Sequence, residues 1–153
     1  MVHLTRRYRF CAGHRLHNDA MTPEENRRVY GKCNNPNGHG HNYLLEVTVA
    51  GPIDPATGMV FDLATLDRIV TAQVLDQFDH KSLNLDVETF RTRVPTTENL
   101  CLEIYRRLRH PVEESVPGGV QLERVGLEET SLNSFEYVRE GASRKGEAGQ
   151  GGI

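Results

Sequence analysis

The sequence predicts an α+β fold in which two helices pack on one face of a four-stranded antiparallel sheet. The extended and helical segments follow one another in the order strand, strand, helix, helix, strand, strand. Runs of strands and runs of helices, rather than strands that alternate singly with helices, are typical of this class. The length of 153 residues suits one domain with one hydrophobic core.

The first two strands are predicted from His3 to Ala12, where the apolar alternation is imperfect, and from Asn42 to Ala50. A short helix over Glu24 to Val29 is predicted within the long connection between them. Gly51-Pro52 ends the second strand, because this dipeptide is a strong breaker of regular structure.

The first long helix is predicted from about Asp62, whose carboxylate can accept a hydrogen bond from the helix N-terminus. Its apolar stripe consists of Leu63, Leu66, Ile69, Val70 and Val74. The second helix begins after Pro95, at Thr96 or Thr97. The buried face of this helix is predicted to contain Leu100, Ile104 and Leu108.

Two further strands are predicted from Val120 to Glu129 and from Phe135 to Val138, with a short turn between them. The single domain therefore covers residues 1–139. Residues 140–153 are rich in glycine and charge and nearly devoid of apolar side chains, so a disordered tail is predicted.

The composition excludes several kinds of partner. With 25% charged residues and a net charge of -3, neither nucleic acid nor an anionic membrane is expected to bind. No long apolar segment follows Met1, so neither a signal peptide nor a membrane span is expected. Three cysteines are a low and odd number for the disulfide scaffold of a secreted protein, so a reducing, cytoplasmic location is expected. The two open edges of the sheet predict a homo-oligomer.

Three histidines form the strongest chemical signal in the sequence. His39 and His41 stand two residues apart at the start of the second strand, so their rings project to the same face. His14 follows the first strand, and antiparallel pairing of the two strands brings it beside them. Three neutral imidazoles without a fixed fourth ligand are typical of a catalytic zinc site that keeps one position open.

Cys33 stands six residues before His39 in a loop rich in glycine, asparagine and proline, where a thiol has no packing role. Near zinc its thiolate would be favoured and could act as a base. The alternative is that Cys33 is the fourth ligand of a closed, structural zinc site. Cys11 and Cys101 are interpreted as packing residues.

Two carboxylates have a functional and a structural interpretation. Asp79 could hold the imidazole of His80 in one tautomer and support proton transfer, although both residue types are common at helix ends. Glu128 could bind a guanidine-like edge through two parallel hydrogen bonds if it faces inward. A solvent-facing strand glutamate is the alternative for Glu128.

Several separated motifs resemble the 6-pyruvoyltetrahydropterin synthase family, in collinear order from about residue 4 to residue 139. They are Gly13 to His17, Gly31 to Tyr43, Asp54 to Met59, Leu75 to Leu83, Pro95 to Asn99 and Leu127 to Thr130. The resemblance implies the T-fold, or tunnelling fold, in which a sheet carries two helices. It also implies that three subunits join their sheets into a barrel and that two trimers stack as a hexamer.

The resemblance also implies which residues form the site. The zinc ligands would be His14, His39 and His41. The catalytic residues would be Cys33, Asp79, His80 and Glu128, with Asp79 and His80 reaching the site from a neighbouring subunit. The pterin ring would be bound by Glu128 with the help of Thr96, Thr97 and Glu98. By proximity alone, the candidates for contact with the triphosphate are Arg15, His17 and Lys32.

The implied reaction converts 7,8-dihydroneopterin triphosphate into 6-pyruvoyl-tetrahydropterin and triphosphate, which is a carbon–oxygen lyase reaction. It needs no redox cofactor, because the side-chain carbinols are oxidised while the ring imine is reduced by tautomerisation. Zinc would act as a Lewis acid on the side-chain hydroxyls. The expected partners are therefore a small pterin triphosphate and further copies of the chain.

Three alternatives to this function stay open. The related 6-carboxytetrahydropterin synthase of the queuosine pathway cleaves a carbon–carbon bond and releases acetaldehyde, and its usual spacing is Cys-x3-His-Gly-His. This chain has Cys-x5-His-Gly-His, which favours the pyruvoyl enzyme. A third branch forms a hydroxymethylpterin and typically has Glu near the position of Cys33. Outside enzymes, the alternative is a zinc-stapled oligomeric binding module, in which Asp79-His80 would have no purpose.

Overall fold

The computed structural model describes residues 1–116 and 119–141, and its strands form one sheet. The strands are β1 (Val2–His14), β2 (His39–Gly51), β3 (Lys81–Ser82), β4 (Gln121–Thr130) and β5 (Asn133–Val138). Their order is β3-β1-β2-β4-β5, and every neighbouring pair is antiparallel except β3 with β1. The α+β class and the four predicted strands are confirmed. The sheet gains a fifth, two-residue strand that is too short to show a hydrophobic period.

The helices are α1 (Pro23–Tyr30), α2 (Leu63–Val70), α3 (Asp76–Phe78), α4 (Leu83–Asp86) and α5 (Thr97–Ser115). A π-type turn, Thr71–Leu75, joins α2 to α3, so the first predicted long helix is a helical run with one wide turn. The predicted cap of α2 is confirmed, because Asp62 accepts a hydrogen bond from the Thr65 amide at 2.9 Å. The predicted tail from residue 142 onward lies outside the described residues.

The core lies between the sheet and the helices α2 and α5. Alternate residues of β2 point into it, so that Tyr43, Leu45, Val47 and Val49 are fully buried. The rings of Phe10 and Tyr43 stack with their centroids 5.0 Å apart. From the helices the core receives Leu66, Val70, Val74, Leu100, Ile104 and Leu108. The predicted helix stripes are therefore confirmed, apart from Leu63, which is exposed at the start of α2.

The opposite face of the sheet carries charged side chains that pair across strands. Glu46 on β2 accepts hydrogen bonds from Arg7 at 2.8 Å and from Arg124 at 2.6 Å. Arg124 also reaches Glu136 on β5 at 3.3 Å. The sheet therefore has one apolar and one polar face. Successive residues of a strand point to opposite faces, so the position of a residue in this alternation determines whether its side chain lies in the core or on the charged face. In the part of the chain that the structure describes, no helix is long and apolar enough to cross a membrane.

Candidate metal centre

The pairing of β1 with β2 brings the three histidines together. His14 lies opposite His39 in this register, and Ala12 lies opposite His41, so all three rings point to the core face. The turn before His39 approaches β1 closely: a Cβ on Gly38, whose φ is 70°, would lie 2.9 Å from the His14 carbonyl oxygen. A side chain at Gly38 would therefore displace the strand end that carries His14. The predicted proximity of the histidines is confirmed.

The distances within the cluster suit one metal ion. The Nε2 atoms of His14 and His39 are 3.1 Å apart, and the nearest ligand atoms of all three rings lie within 4.8 Å of one another. A tetrahedral zinc ion with Zn–N bonds of about 2.0–2.1 Å holds its nitrogen ligands about 3.3–3.4 Å apart. A small rearrangement of the rings is sufficient to bind such an ion.

Two hydrogen-bonding observations support the fit of a metal. His14 Nδ1 lies 2.8 Å from the Pro95 carbonyl oxygen, which can only accept, so Nδ1 carries the proton and Nε2 keeps its lone pair. His41 Nε2 is buried and has no hydrogen-bond partner among the described residues. A bound cation would satisfy this orphaned nitrogen.

The environment favours the neutral imidazole at His14 and at His41. Burial lowers the pKa of His14, against the opposing effect of its hydrogen bond to Pro95, and the neighbouring imidazoles lower it further. Burial also lowers the pKa of His41, against the opposing effect of the Glu129 carboxylate. Only the neutral ring can bind a metal, so the environment keeps these side chains in their ligand form.

The carboxylate beside the histidines belongs to Glu129. Its Oε1 atom lies 3.5 Å from His41 Nε2 and 3.9 Å from His14 Nε2, and it accepts a hydrogen bond from Thr97 at 2.5 Å. Glu128 is exposed and borders a cavity of about 420 Å³ that also contacts Glu46 on the charged face of the sheet. The expectation that Glu128 faces inward is therefore wrong.

Strand parity explains this correction. Val125 and Leu127 are buried on the core face, and strict alternation places Glu129 on the same face and Glu128 on the other. The pairing of β4 with β5 is irregular between Glu128 and Thr130, where the strand ends. The alternation of Val125 and Leu127 was thus the sequence signal that identifies Glu129.

The three residues expected beside the pterin have different positions at the start of α5. Thr96 caps the helix, because its hydroxyl accepts a hydrogen bond from the Asn99 amide at 3.2 Å. Thr97 is buried and donates a hydrogen bond to Glu129, whereas Glu98 is exposed. Within one chain the histidine cluster is therefore next to Thr97 and Glu129.

Cys33 lies in a 3₁₀ turn, Gly31–Asn34, and is partly buried. Its carbonyl oxygen accepts a hydrogen bond from the Leu16 amide at 2.9 Å, which ties the turn to the segment after His14. The group of mutually close ligand atoms around the histidines does not include Cys33. The geometry therefore gives no support to the closed four-ligand site.

The other two cysteines differ from each other. Cys101 is buried on α5, and its thiol donates to the Val125 carbonyl oxygen at 3.3 Å. Burial raises the pKa of this thiol to about 12, so the predicted packing role is confirmed. Cys11 is only partly buried and lies beside Asp79 and His80, so it has a polar environment that the packing interpretation did not predict.

Asp79 and His80 form a hydrogen-bonded pair next to β1. Asp79 Oδ1 lies 3.0 Å from His80 Nδ1 and accepts a hydrogen bond from the Cys11 amide at 2.9 Å. This backbone hydrogen bond is the main reason that the pKa of Asp79 is lowered. His80 has a φ of 58°, and its side chain is 80% exposed. Cys11, Asp79 and His80 form a group separate from the histidine cluster.

A cavity of about 610 Å³ opens beside His14 and His39. Of the three expected triphosphate contacts, Arg15 and His17 line this cavity and Lys32 does not. Two further basic residues, Arg91 and Arg93, also line it and were missed, because their loop reaches the cavity only in the folded chain.

Comparison with known proteins gives consistent matches over nearly the whole chain. A family model described as 6-pyruvoyl tetrahydropterin synthase matches residues 3–140. The 6-pyruvoyl tetrahydrobiopterin synthase of Homo sapiens is 45% identical over 137 residues, which cover 90% of this chain and 91% of that protein. The enzyme of the same name from Poecilia reticulata is 46% identical over 135 residues, which cover 88% of each.

The solved structures agree with the sequence matches. The structure of Caenorhabditis elegans 6-pyruvoyl tetrahydropterin synthase matches this fold with a TM-score of 0.81 at 41% identity. The match covers 90% of this chain and 95% of that chain. The expected T-fold is thereby confirmed.

Proposed function

Because this chain belongs to the 6-pyruvoyl tetrahydropterin synthase family, we propose that it converts 7,8-dihydroneopterin triphosphate into 6-pyruvoyl-tetrahydropterin and triphosphate. The observation that carries the proposal is the cluster of His14, His39 and His41 with the Glu129 carboxylate beside it. The reaction is an elimination at a carbon–oxygen bond, so the chain acts as a lyase.

The three histidines hold a zinc ion in this proposal. The donor set consists of three imidazoles, and the unsatisfied Nε2 of His41 points to a cation. When bound, zinc supplies Lewis-acid polarisation of the side-chain hydroxyls of the substrate. The Pro95 carbonyl keeps His14 in the tautomer that leaves Nε2 free for this ion.

Glu129 takes the role of pterin anchor that the sequence motif suggested for Glu128. A dihydropterin presents a ring N–H and an exocyclic amine side by side, which matches the two oxygens of one carboxylate. Thr97 donates to Oε1 and thereby orients the carboxylate before the substrate binds. An oriented anchor places the substrate side chain, rather than the ring, at the histidines.

Cys33 and the Asp79–His80 pair move protons on the substrate side chain. Cys33, as thiolate, takes the carbon-bound proton, and His80 returns a proton while Asp79 holds its ring. A reducing cytoplasm keeps Cys33 available as a free thiol. Within one chain the pair is separate from the histidine cluster, which favours a site completed by the pair from a neighbouring subunit.

The open edges of the sheet favour the same assembly. β3 and β5 are the outermost strands, and pairing between subunits would cover their unpaired backbone groups. We therefore propose a trimer whose sheets form a closed barrel, with two trimers stacked as a hexamer.

The proposed reaction releases triphosphate, and this release tests the function. We expect the purified protein to release triphosphate from 7,8-dihydroneopterin triphosphate, and we expect both a zinc chelator and the substitution His14→Ala to stop the release. Full activity of a metal-free protein would contradict the role proposed for the histidines. No release from the zinc-loaded protein would contradict the reaction itself.

A further inference from the structure

The cavity beside the histidine cluster is lined by basic side chains from two separate segments of the chain. Arg15 and His17 follow β1. Arg91 ends a 3₁₀ turn, Glu88–Arg91, and Arg93 lies between that turn and α5. His14 and His39 form the wall where the cavity meets the metal centre. A ligand in this cavity is therefore contiguous with a ligand at the histidines.

One nitrogen of the Arg93 guanidinium is unsatisfied. Its Nη1 atom is buried and has no hydrogen-bond partner among the described residues, and no carboxylate in that part of the chain pairs with it. A buried guanidinium nitrogen without a partner is unfavourable, because burial removes its hydration and nothing replaces it. An anion bound in the cavity would remove this cost.

Arg15 is held in place by the surrounding backbone and side chains. The Asn84 side chain accepts from the Arg15 amide at 2.8 Å and donates to the Arg15 carbonyl oxygen at 2.9 Å. Arg15 Nε donates to the Asn34 carbonyl oxygen at 3.1 Å, so this bond leaves the two terminal nitrogens of the guanidinium for another acceptor. Arg15 is thus fixed before a ligand binds.

The other charged groups at the cavity are compatible with an anion. Arg91 pairs with Glu88 at 3.1 Å, and the Glu88 side chain is 86% exposed, so a better acceptor can displace it. Asp19 is the one carboxylate that lines the cavity in the described chain, and it is fully exposed beside His17 at 3.3 Å. The interior of the cavity is therefore positive.

We propose that Arg15, Arg91 and Arg93 bind the polyphosphate tail of the substrate while its pterin ring occupies the site at Glu129. This inference rests on the proposed function for the identity of the whole substrate. Three guanidinium groups suit a chain of phosphates, because each can donate two parallel hydrogen bonds to phosphate oxygens. The cavity lies next to the histidines, so the tail extends away from the reacting carbons without leaving the protein.

The test measures the affinity of the zinc-loaded protein for two probes, inorganic tripolyphosphate and 7,8-dihydroneopterin without phosphate. We expect Arg93→Gln and Arg91→Gln to weaken tripolyphosphate binding about tenfold or more, because each removes a charge-assisted contact. We expect Arg93→Lys to retain part of the affinity. Binding of unphosphorylated dihydroneopterin should not change in any of these variants.

The matched control is Arg106→Gln, which neutralises an exposed arginine on α5 that lies outside the cavity. Equal tripolyphosphate affinity in the wild type, Arg91→Gln and Arg93→Gln would overturn the proposal. If Arg93→Gln does not fold, Arg91→Gln gives the same test at an exposed position. Arginine-dependent tripolyphosphate binding in a protein that releases no triphosphate from the pterin would support this site and contradict the proposed function.

Discussion

Thr97 Oγ1 donates a 2.5 Å hydrogen bond to Glu129 Oε1, which joins the first turn of α5 to the end of β4 beside the histidine cluster. Thr97 is buried, and the Glu129 side chain is only 15% exposed. A hydrogen bond to a carboxylate in such an environment is stronger than one between neutral groups. The bond therefore sets the direction of the carboxylate that faces His41 and His14.

The substitution Glu129→Gln should weaken dihydropterin binding strongly, because it removes the charge that accepts the two N–H groups of the ring. Loss of one partner of a buried charged hydrogen-bond pair typically costs about 2–5 kcal/mol. Calorimetric titration with 7,8-dihydroneopterin measures the effect. The matched control is Glu128→Gln on the charged face, and a larger loss for that variant would contradict the assignment.

The substitution Thr97→Val should lower both stability and pterin affinity, because it leaves the Glu129 carboxylate without its buried donor. Loss of such a donor typically costs about 1–3 kcal/mol in the free energy of unfolding. Urea unfolding measures the stability, and Thr97→Ser, which keeps the hydroxyl, is the control. Equal stability of the valine and serine variants would show that the bond has no energetic role.

Zinc binding should depend on the histidines and not on the cysteine. We expect His14→Ala to lose bound zinc, because two remaining imidazoles cannot form the three-ligand site. We expect Cys33→Ala to keep its zinc and to lose turnover. Metal content by mass spectrometry distinguishes the two roles, and loss of zinc from Cys33→Ala at neutral pH would instead support the closed site.

A site shared between subunits predicts complementation. Cys33→Ala and His80→Ala should each be inactive alone, and oligomers refolded from a mixture of the two should regain activity. Recovery occurs because some interfaces then combine an intact Cys33 from one subunit with an intact His80 from its neighbour. Mixed oligomers that form without regaining activity would contradict the shared relay, and a fully active monomer in sedimentation would contradict it as well.

The histidine cluster could be predicted from the sequence because its geometry is local. β1 and β2 are consecutive strands, and their antiparallel pairing alone brings His14 opposite His39. The helix cap at Asp62 was predictable for the same reason, since a cap depends only on the residues within one turn. Neither feature needs knowledge of how distant segments pack.

Two kinds of feature were not predicted from the sequence. Some depend on contacts between distant segments, and one depends on which of two adjacent strand residues points to the core. Glu128 was predicted as the pterin anchor from a motif and not from the alternation of the buried residues Val125 and Leu127. An error of one residue places a strand side chain on the opposite face of the sheet. The pairing of Lys81–Ser82 with β1 and the position of Arg93 at the cavity join segments far apart in sequence. No local pattern encodes such contacts.

The central claim is the reaction, and mass analysis of the pterin product tests it most directly. After incubation of the zinc-loaded protein with 7,8-dihydroneopterin triphosphate, we expect the mass of 6-pyruvoyl-tetrahydropterin, with all three side-chain carbons retained, together with triphosphate. A carboxytetrahydropterin accompanied by acetaldehyde, or a hydroxymethylpterin, would show that the chain cleaves a carbon–carbon bond. Either of these products would contradict the proposed function.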